Sequence, residues 1–134
     1  MPLRIELKPF ERLIINGAAI RNGDRRSSFL METQCKFLRE SEIITESEAD
    51  TACKRIHLTL TVIYLSDNPI EPEGLFFAQA ADLLKAAPST APYLLAIQQE
   101  LEAKRYHHAI KRGKDLVAYE QTLLDRLGPQ TEVA

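Results

Sequence analysis

Leu13-Ile14-Ile15-Asn16-Gly17-Ala18-Ala19-Ile20 decides the reading of the first third of the chain. Two short apolar runs flank an Asn-Gly pair, and Asn-Gly readily takes positive φ at both central positions of a tight turn. The stretch therefore predicts two short antiparallel strands. Upstream, Leu3, Ile5 and Leu7 interleave with Arg4, Glu6 and Lys8. That period of two puts apolar side chains on one face of a strand and charges on the other. Downstream, a second Asn-Gly pair, Asn22-Gly23, gives another hairpin signal, and Phe29 to Met31 and Cys35 to Leu38 supply further short apolar runs. Five short strands predict a small twisted antiparallel β-sheet or barrel, whose open edges dimer pairing would cover.

From Glu40 to Asp50 the chain holds Glu40, Glu42, Glu46, Glu48 and Asp50 and no basic residue, which reads as a solvated acidic linker. Lys54 to Leu65 alternates again and, with its β-branched content, reads as a strand at least at its start, with His57 on the polar face. After Ser66-Asp67-Asn68-Pro69 the period becomes helical. Leu75, Phe76, Ala80, Leu83 and Leu84 mark a helix ending near Ala87-Pro88. Leu94, Ile97 and Leu101 mark a second, and Tyr106 to Leu127 a third that stops at Gly128-Pro129. The fold class is thus α+β: a β-rich part over 1–65, then a helical part of about three helices over 66–134.

Composition narrows the function. With 134 residues the chain fits one compact domain or a small domain with a helical appendix. Its 45% hydrophobic and 27% charged residues exclude a collagen-like or largely disordered chain. Cys35 and Cys53 lie in no metal-ligand run and read as small buried or half-buried thiols. Arg4, Glu6 and Lys8 break what would be the apolar core of a signal peptide, so the chain is expected to be cytoplasmic and soluble. No G-x-S-x-G, H-E-x-x-H or phosphate-cradling glycine loop is present. His107 and His108 are adjacent, so on a helix they diverge by about 100° and cannot share one metal. One of that pair reads as half-buried and the other as solvated. No enzymatic activity, cofactor or metal is expected.

Charge distribution says more than the net charge of −2. Up to Arg39, eight basic residues face only Glu6, Glu11, Asp24 and Glu32. Arg21, Arg25, Arg26 and Arg39, with Lys54 and Arg55 as further contacts, are the candidates for reaching phosphates or base edges of a nucleic acid. Arginine offers a planar fork of donors that matches phosphate oxygens and can stack on an unpaired base. Lys104, Arg105, His108, Lys111 and Arg112 are read as a second basic face on the last helix, spanning an arc of about 120°.

The chain resembles the FlbT family of flagellin-synthesis regulators. The likeness rests on Met1-Pro2-Leu3, Leu7-Lys8-Pro9, Glu11 and Asn16-Gly17-Ala18. It continues through Asn22-Gly23-Asp24-Arg25-Arg26, Phe37-Leu38-Arg39-Glu40, Tyr106 and Leu116 to Glu120. It implies a post-transcriptional regulator acting on the 5′ untranslated region of flagellin mRNA, as repressor or activator. It also implies a FlaF-like protein as a partner. The β part alone is similar to small carbon-storage regulators that bind mRNA leaders as strand-exchanged dimers. Phe37-Leu38-Arg39-Glu40 has the form of their apolar–x–Arg–Glu pattern, which implies that Arg39 faces RNA and that the chain is a homo-oligomer, a dimer first. The competing expectation is a protein-interaction module that binds flagellin, FlaF or another flagellar regulator without direct RNA contact.

Overall fold

A computed structural model describes residues 2–133, with side chains described through residue 127. It divides into two compact units, Met1–Ile43 and Ile44–Ala134. The first holds strands β1 (Leu3–Leu7), β2 (Arg12–Ile15), β3 (Ala18–Arg21), β4 (Ser27–Met31) and β5 (Phe37–Arg39). β1 pairs antiparallel with β4, and β2 lies between β3 and β5 in a second antiparallel sheet. Leu13 faces Ile20 and Arg39 across the second sheet, while Ile5 faces Phe29 across the first. Directly opposed residues share a face. Accordingly Ile5 and Leu7 from one sheet and Leu13 from the other form the core, lined by Ile15, Met31 and Phe37.

The two Asn-Gly pairs behave differently. Asn16 (φ 48°) and Gly17 (φ 84°) make the mirror-image turn expected between β2 and β3. Asn22-Gly23 makes no hairpin, because β3 and β4 belong to different sheets. There the asparagine side chain is occupied instead: its Nδ2 donates to Lys8 O (2.8 Å) and Arg25 O (2.9 Å). Its Oδ1 accepts from Ser27 Oγ at 2.7 Å.

The acidic stretch is not wholly a linker. Glu40–Glu42 forms a 3-10 turn in which Glu42 is buried and accepts the Arg39 N–H at 3.1 Å. Glu46, Glu48 and Asp50 are exposed, as a solvated segment would have them.

The strand reading of Lys54 to Leu65 is corrected. Those residues belong to helix α1 (Ala52–Leu65), followed by α2 (Ile70–Ala86), α3 (Ala91–Glu102) and α4 (Tyr106–Val133). The three helices expected after Ser66 are α2, α3 and α4, and the misread stretch is the fourth. Alternation misled because α1 packs against both α2 and α4. Apolar or small residues then occupy most of its circumference, and a period of two and one of 3.6 fit equally well. Cys53, Ile56, His57, Leu60 and Ile63 are buried at three- and four-residue spacings, so His57 lies in the helix rather than on a strand's polar face. The threonines are accommodated by local bonds: Thr59 Oγ1 donates to Arg55 O at 3.0 Å, and Thr61 Oγ1 to Leu58 O at 2.6 Å.

Thr51 caps α1 by accepting the Lys54 N–H at 3.2 Å. Glu120 on α4 completes that cap, accepting from Thr51 Oγ1 (2.5 Å) and from the Cys53 N–H (3.2 Å). Burial, with Glu120 beside it, pushes the Cys53 thiol up to about 12. Cys53 is therefore inert, while Cys35 is half-buried, as the two thiols were read. His107 is half-buried against Tyr64, ring centroids 5.4 Å apart, and His108 is exposed. Gly113 lets α4 approach α1: a Cβ there would sit 2.7 Å from Leu60 Cδ1. α4's bounds run past Gly128-Pro129, whose side chains lie outside those described.

Candidate nucleic-acid interface

One turn organises the basic end of the β unit. β1 stops at Pro9, and Lys8 to Glu11 closes on itself. The Glu11 N–H donates to Lys8 O (3.1 Å), and the Lys8 N–H donates to Glu11 Oε1 (2.8 Å). Phe10 adopts a left-handed backbone, φ 62°. Its N–H donates to Gly23 O at 2.9 Å, and the Asn22 N–H donates to Glu11 O at 2.9 Å. The turn and the Asn22–Arg26 loop are thereby fastened together.

The register puts Arg21 opposite Arg12, and Arg39 opposite Leu13, so Arg21 and Arg39 leave opposite faces of the β3-β2-β5 sheet. They nevertheless close on one segment. Arg21 Nη1 donates to Phe10 O, and Arg39 Nη2 donates to Glu6 O, each at 2.9 Å. Among the described residues none of Arg21, Arg25, Arg26 and Arg39 is ion-paired with a carboxylate. Each of the two bonded guanidiniums uses one of its five N–H donors and keeps the others. Arg25 and Arg26 are exposed on the loop. Arg26 borders a separate shallow depression with Glu6, Ser27 and Ser28. The structure thus brings Arg21 and Arg39 to one segment, holds the backbone of Arg25 near it through Asn22, and leaves Arg26 at the separate depression.

Beside this turn lies a depression of about 400 Å³ walled by Lys8, Phe10, Glu11, Arg39, Glu40 and Ser41. Of its two carboxylates, Glu40 is neutralised by an ion pair, while Glu11 accepts the Lys8 backbone N–H. Arg12 grips Glu40 through Nη2 (2.6 Å), Nε (2.8 Å) and the backbone N–H (2.8 Å). Those bonds hold the Glu40 carboxyl below the usual carboxylate range. Sequence reasoning missed Lys8, Phe10 and Asn22. The only signal was Pro9-Phe10 interrupting an otherwise regular alternation.

The remaining candidates lie in the helical unit. Lys54 is in the first turn of α1 and pairs with Asp50 at 3.3 Å, while Arg55 is exposed. The second basic face is corrected. Lys104 (φ 59°) and Arg105 precede α4, in a Schellman closure of α3: the Lys104 N–H donates to Leu101 O and the Arg105 N–H to Glu100 O. Only His108, Lys111 and Arg112 lie on α4. Arg105 pairs with Glu100 at 2.5 Å, and Arg112 with Asp115 at 3.0 Å and Glu100 at 4.0 Å. The two arginines of that face are therefore already neutralised. No helix among the described residues is long and apolar enough to cross a membrane.

The family model described as "Flagellar protein FlbT" matches residues 3–124. A relative from Rhodopseudomonas palustris, named "Probable flagellum biosynthesis repressor protein FlbT", is 34% identical over 94% of this chain and 100% of its own. One from Bradyrhizobium diazoefficiens, "Probable flagellum biosynthesis repressor protein FlbT 1", is 34% identical over 92% of this chain and 85% of its own. "Flagellum biosynthesis repressor protein FlbT" from Caulobacter vibrioides is 29% identical over 96% and 91%. No solved structure matches. Matched along nearly its whole length, the chain belongs to the FlbT family.

Proposed function

We propose that this chain regulates flagellin synthesis after transcription. Its β unit binds the 5′ untranslated region of flagellin mRNA and blocks ribosome loading or alters message lifetime. The regulatory half of this reading is supported by relatives named as flagellum biosynthesis repressors. The RNA half is carried by one observation. Arg21 and Arg39 close on the Glu6–Phe10 segment beside the loop that carries exposed Arg25 and Arg26, and among the described residues none of the four is ion-paired with a carboxylate, in a chain whose net charge is −2. Specific RNA recognition targets unpaired bases through hydrogen bonds and stacking on arginine or aromatic planes, and a local cationic cluster is enough for it.

Titration of a flagellin leader RNA tests the reading. Single strands give a salt slope of about −0.7 per neutralised phosphate, so roughly five contacts predict about −3.5. Affinity then falls about a hundredfold between 50 and 200 mM salt. A folded Arg25→Ala, Arg26→Ala, Arg39→Ala variant is expected to lose most of that affinity. Salt-independent binding, or full binding by the folded variant, would overturn the reading.

A second reading, a module that binds flagellin or a FlaF-like protein without RNA contact, is favoured by one feature of the helical unit. α2 and α3 leave between them an apolar cleft of about 250 Å³ that exposes Phe77, Leu84 and Leu95. Protein that retards no leader RNA but co-elutes with flagellin would establish this reading instead.

A further inference from the structure

We infer that Phe10 is a stacking platform for one unpaired RNA base, in a nucleotide subsite walled by Lys8, Phe10, Arg39 and Ser41. This rests on the RNA reading above and gives it a chemical focus. Phe10 is 57% exposed, although the β unit has a core in which an aromatic ring could be buried. It also holds φ at 62°, where a bulky side chain carries a steric cost that glycine or asparagine would avoid. The conformation is imposed from outside. The Phe10 N–H is tied to Gly23 O, its carbonyl to Arg21, and its neighbours Lys8 and Glu11 to each other. Local preference does not explain an aromatic ring displayed to solvent on a left-handed residue. A ring that must present its face to a ligand does.

The surroundings specify the ligand class. The exposed Lys8 and the half-buried Arg39 wall the same depression, and Arg21 bonds the Phe10 carbonyl. The two carboxylates present are engaged, Glu11 by the Lys8 N–H and Glu40 by Arg12. An exposed aromatic face flanked by Lys8 and Arg39, with Glu40 neutralised by Arg12, suits a flat π-system carrying negative charge at its edge, which is a nucleotide. Ser41, exposed in the same lining, offers a hydroxyl that can donate to or accept from a base edge. The depression's volume falls in the range of about 300–1,000 Å³ typical of small-ligand sites.

The chain contains no tryptophan, so Phe10→Trp installs a sole indole at the platform. The probe is a fluorescein-labelled single-stranded flagellin leader RNA. Its anisotropy reads binding, and indole emission reads stacking. The expected result is quenching of the indole in parallel with binding. Phe10→Leu is expected to weaken binding about 5- to 100-fold, and Phe10→Tyr to keep it, with circular dichroism confirming that each variant folds. RNA bound with unchanged indole emission, or bound by folded Phe10→Leu as tightly as by the parent, would overturn the platform and leave the RNA reading standing. Failure of the parent protein to bind the RNA would overturn both. Indole emission that responds to flagellin and not to RNA would assign the ring to a protein partner and overturn the platform as stated.

Discussion

An Arg105→Ala, Arg112→Ala double variant is expected to lose about 2–3 kcal/mol of stability while binding leader RNA with the parent's affinity and salt slope. Glu100 sits on α3 at 8% exposure, and its carboxylate is met by both guanidiniums at the α3–α4 corner. Truncating both leaves a buried carboxylate with no counter-charge, which costs far more than an exposed pair is worth. Because the arginines are themselves half exposed, at 60% and 45% of their side chains, the loss falls below the full value for a buried pair. Urea denaturation measures it. Adding Glu100→Gln to the double variant removes the stranded charge and is expected to recover part of the loss. Unchanged stability with weakened RNA binding would mean that these arginines serve the ligand and not the fold.

The fate of the second basic face shows where sequence reading runs out. Lys104, His108 and Lys111 follow helical spacing, but the spacing does not reveal that Lys104 takes the left-handed position closing α3. Glycine at that position would have announced the break, and lysine does not. The same holds at Phe10, where a left-handed aromatic leaves no compositional trace. Asn16-Gly17 was legible because hairpin chemistry is local: both residues need positive φ, and both types supply it. Asn22-Gly23 presented the same letters, but its partner strands lie in different sheets, and topology is a long-range property. Lys54 to Leu65 failed for a related reason. A helix contacted on two sides by other helices loses the polar stripe that distinguishes it from a buried strand. Arg21 and Arg39 could be nominated as cations, but only the register and the two carbonyl bonds reveal that they grip one segment from opposite faces of a sheet.

Asn22→Ala is expected to lower leader-RNA affinity about tenfold by loosening three or so net hydrogen bonds, although it removes no charge. The Asn22 amide reinforces the two backbone bonds that tie together the segments carrying the cations. Nδ2 donates to Lys8 O and Arg25 O, and more weakly to Leu7 O at 3.4 Å, while Oδ1 takes the Ser27 hydroxyl. One side chain thus spans the end of β1, the Lys8–Glu11 turn, the arginine loop and the start of β4. Without it those backbone groups turn to water at about 1–2 kcal/mol of stability, since most of them are exposed. The cost to binding is separate: Arg25 and Lys8 must then be ordered by the ligand, and that entropy is subtracted from affinity. Asn22→Asp is expected to be worse, about 2–3 kcal/mol, because it keeps the shape but aims a carboxylate at carbonyl oxygens that need a donor. Urea melts separate the stability losses of the two variants, and anisotropy at low salt measures binding by folded protein. Parent-like affinity in folded Asn22→Ala would mean that the cations act as independent mobile charges, and the pre-set geometry of the turn would have no part in recognition.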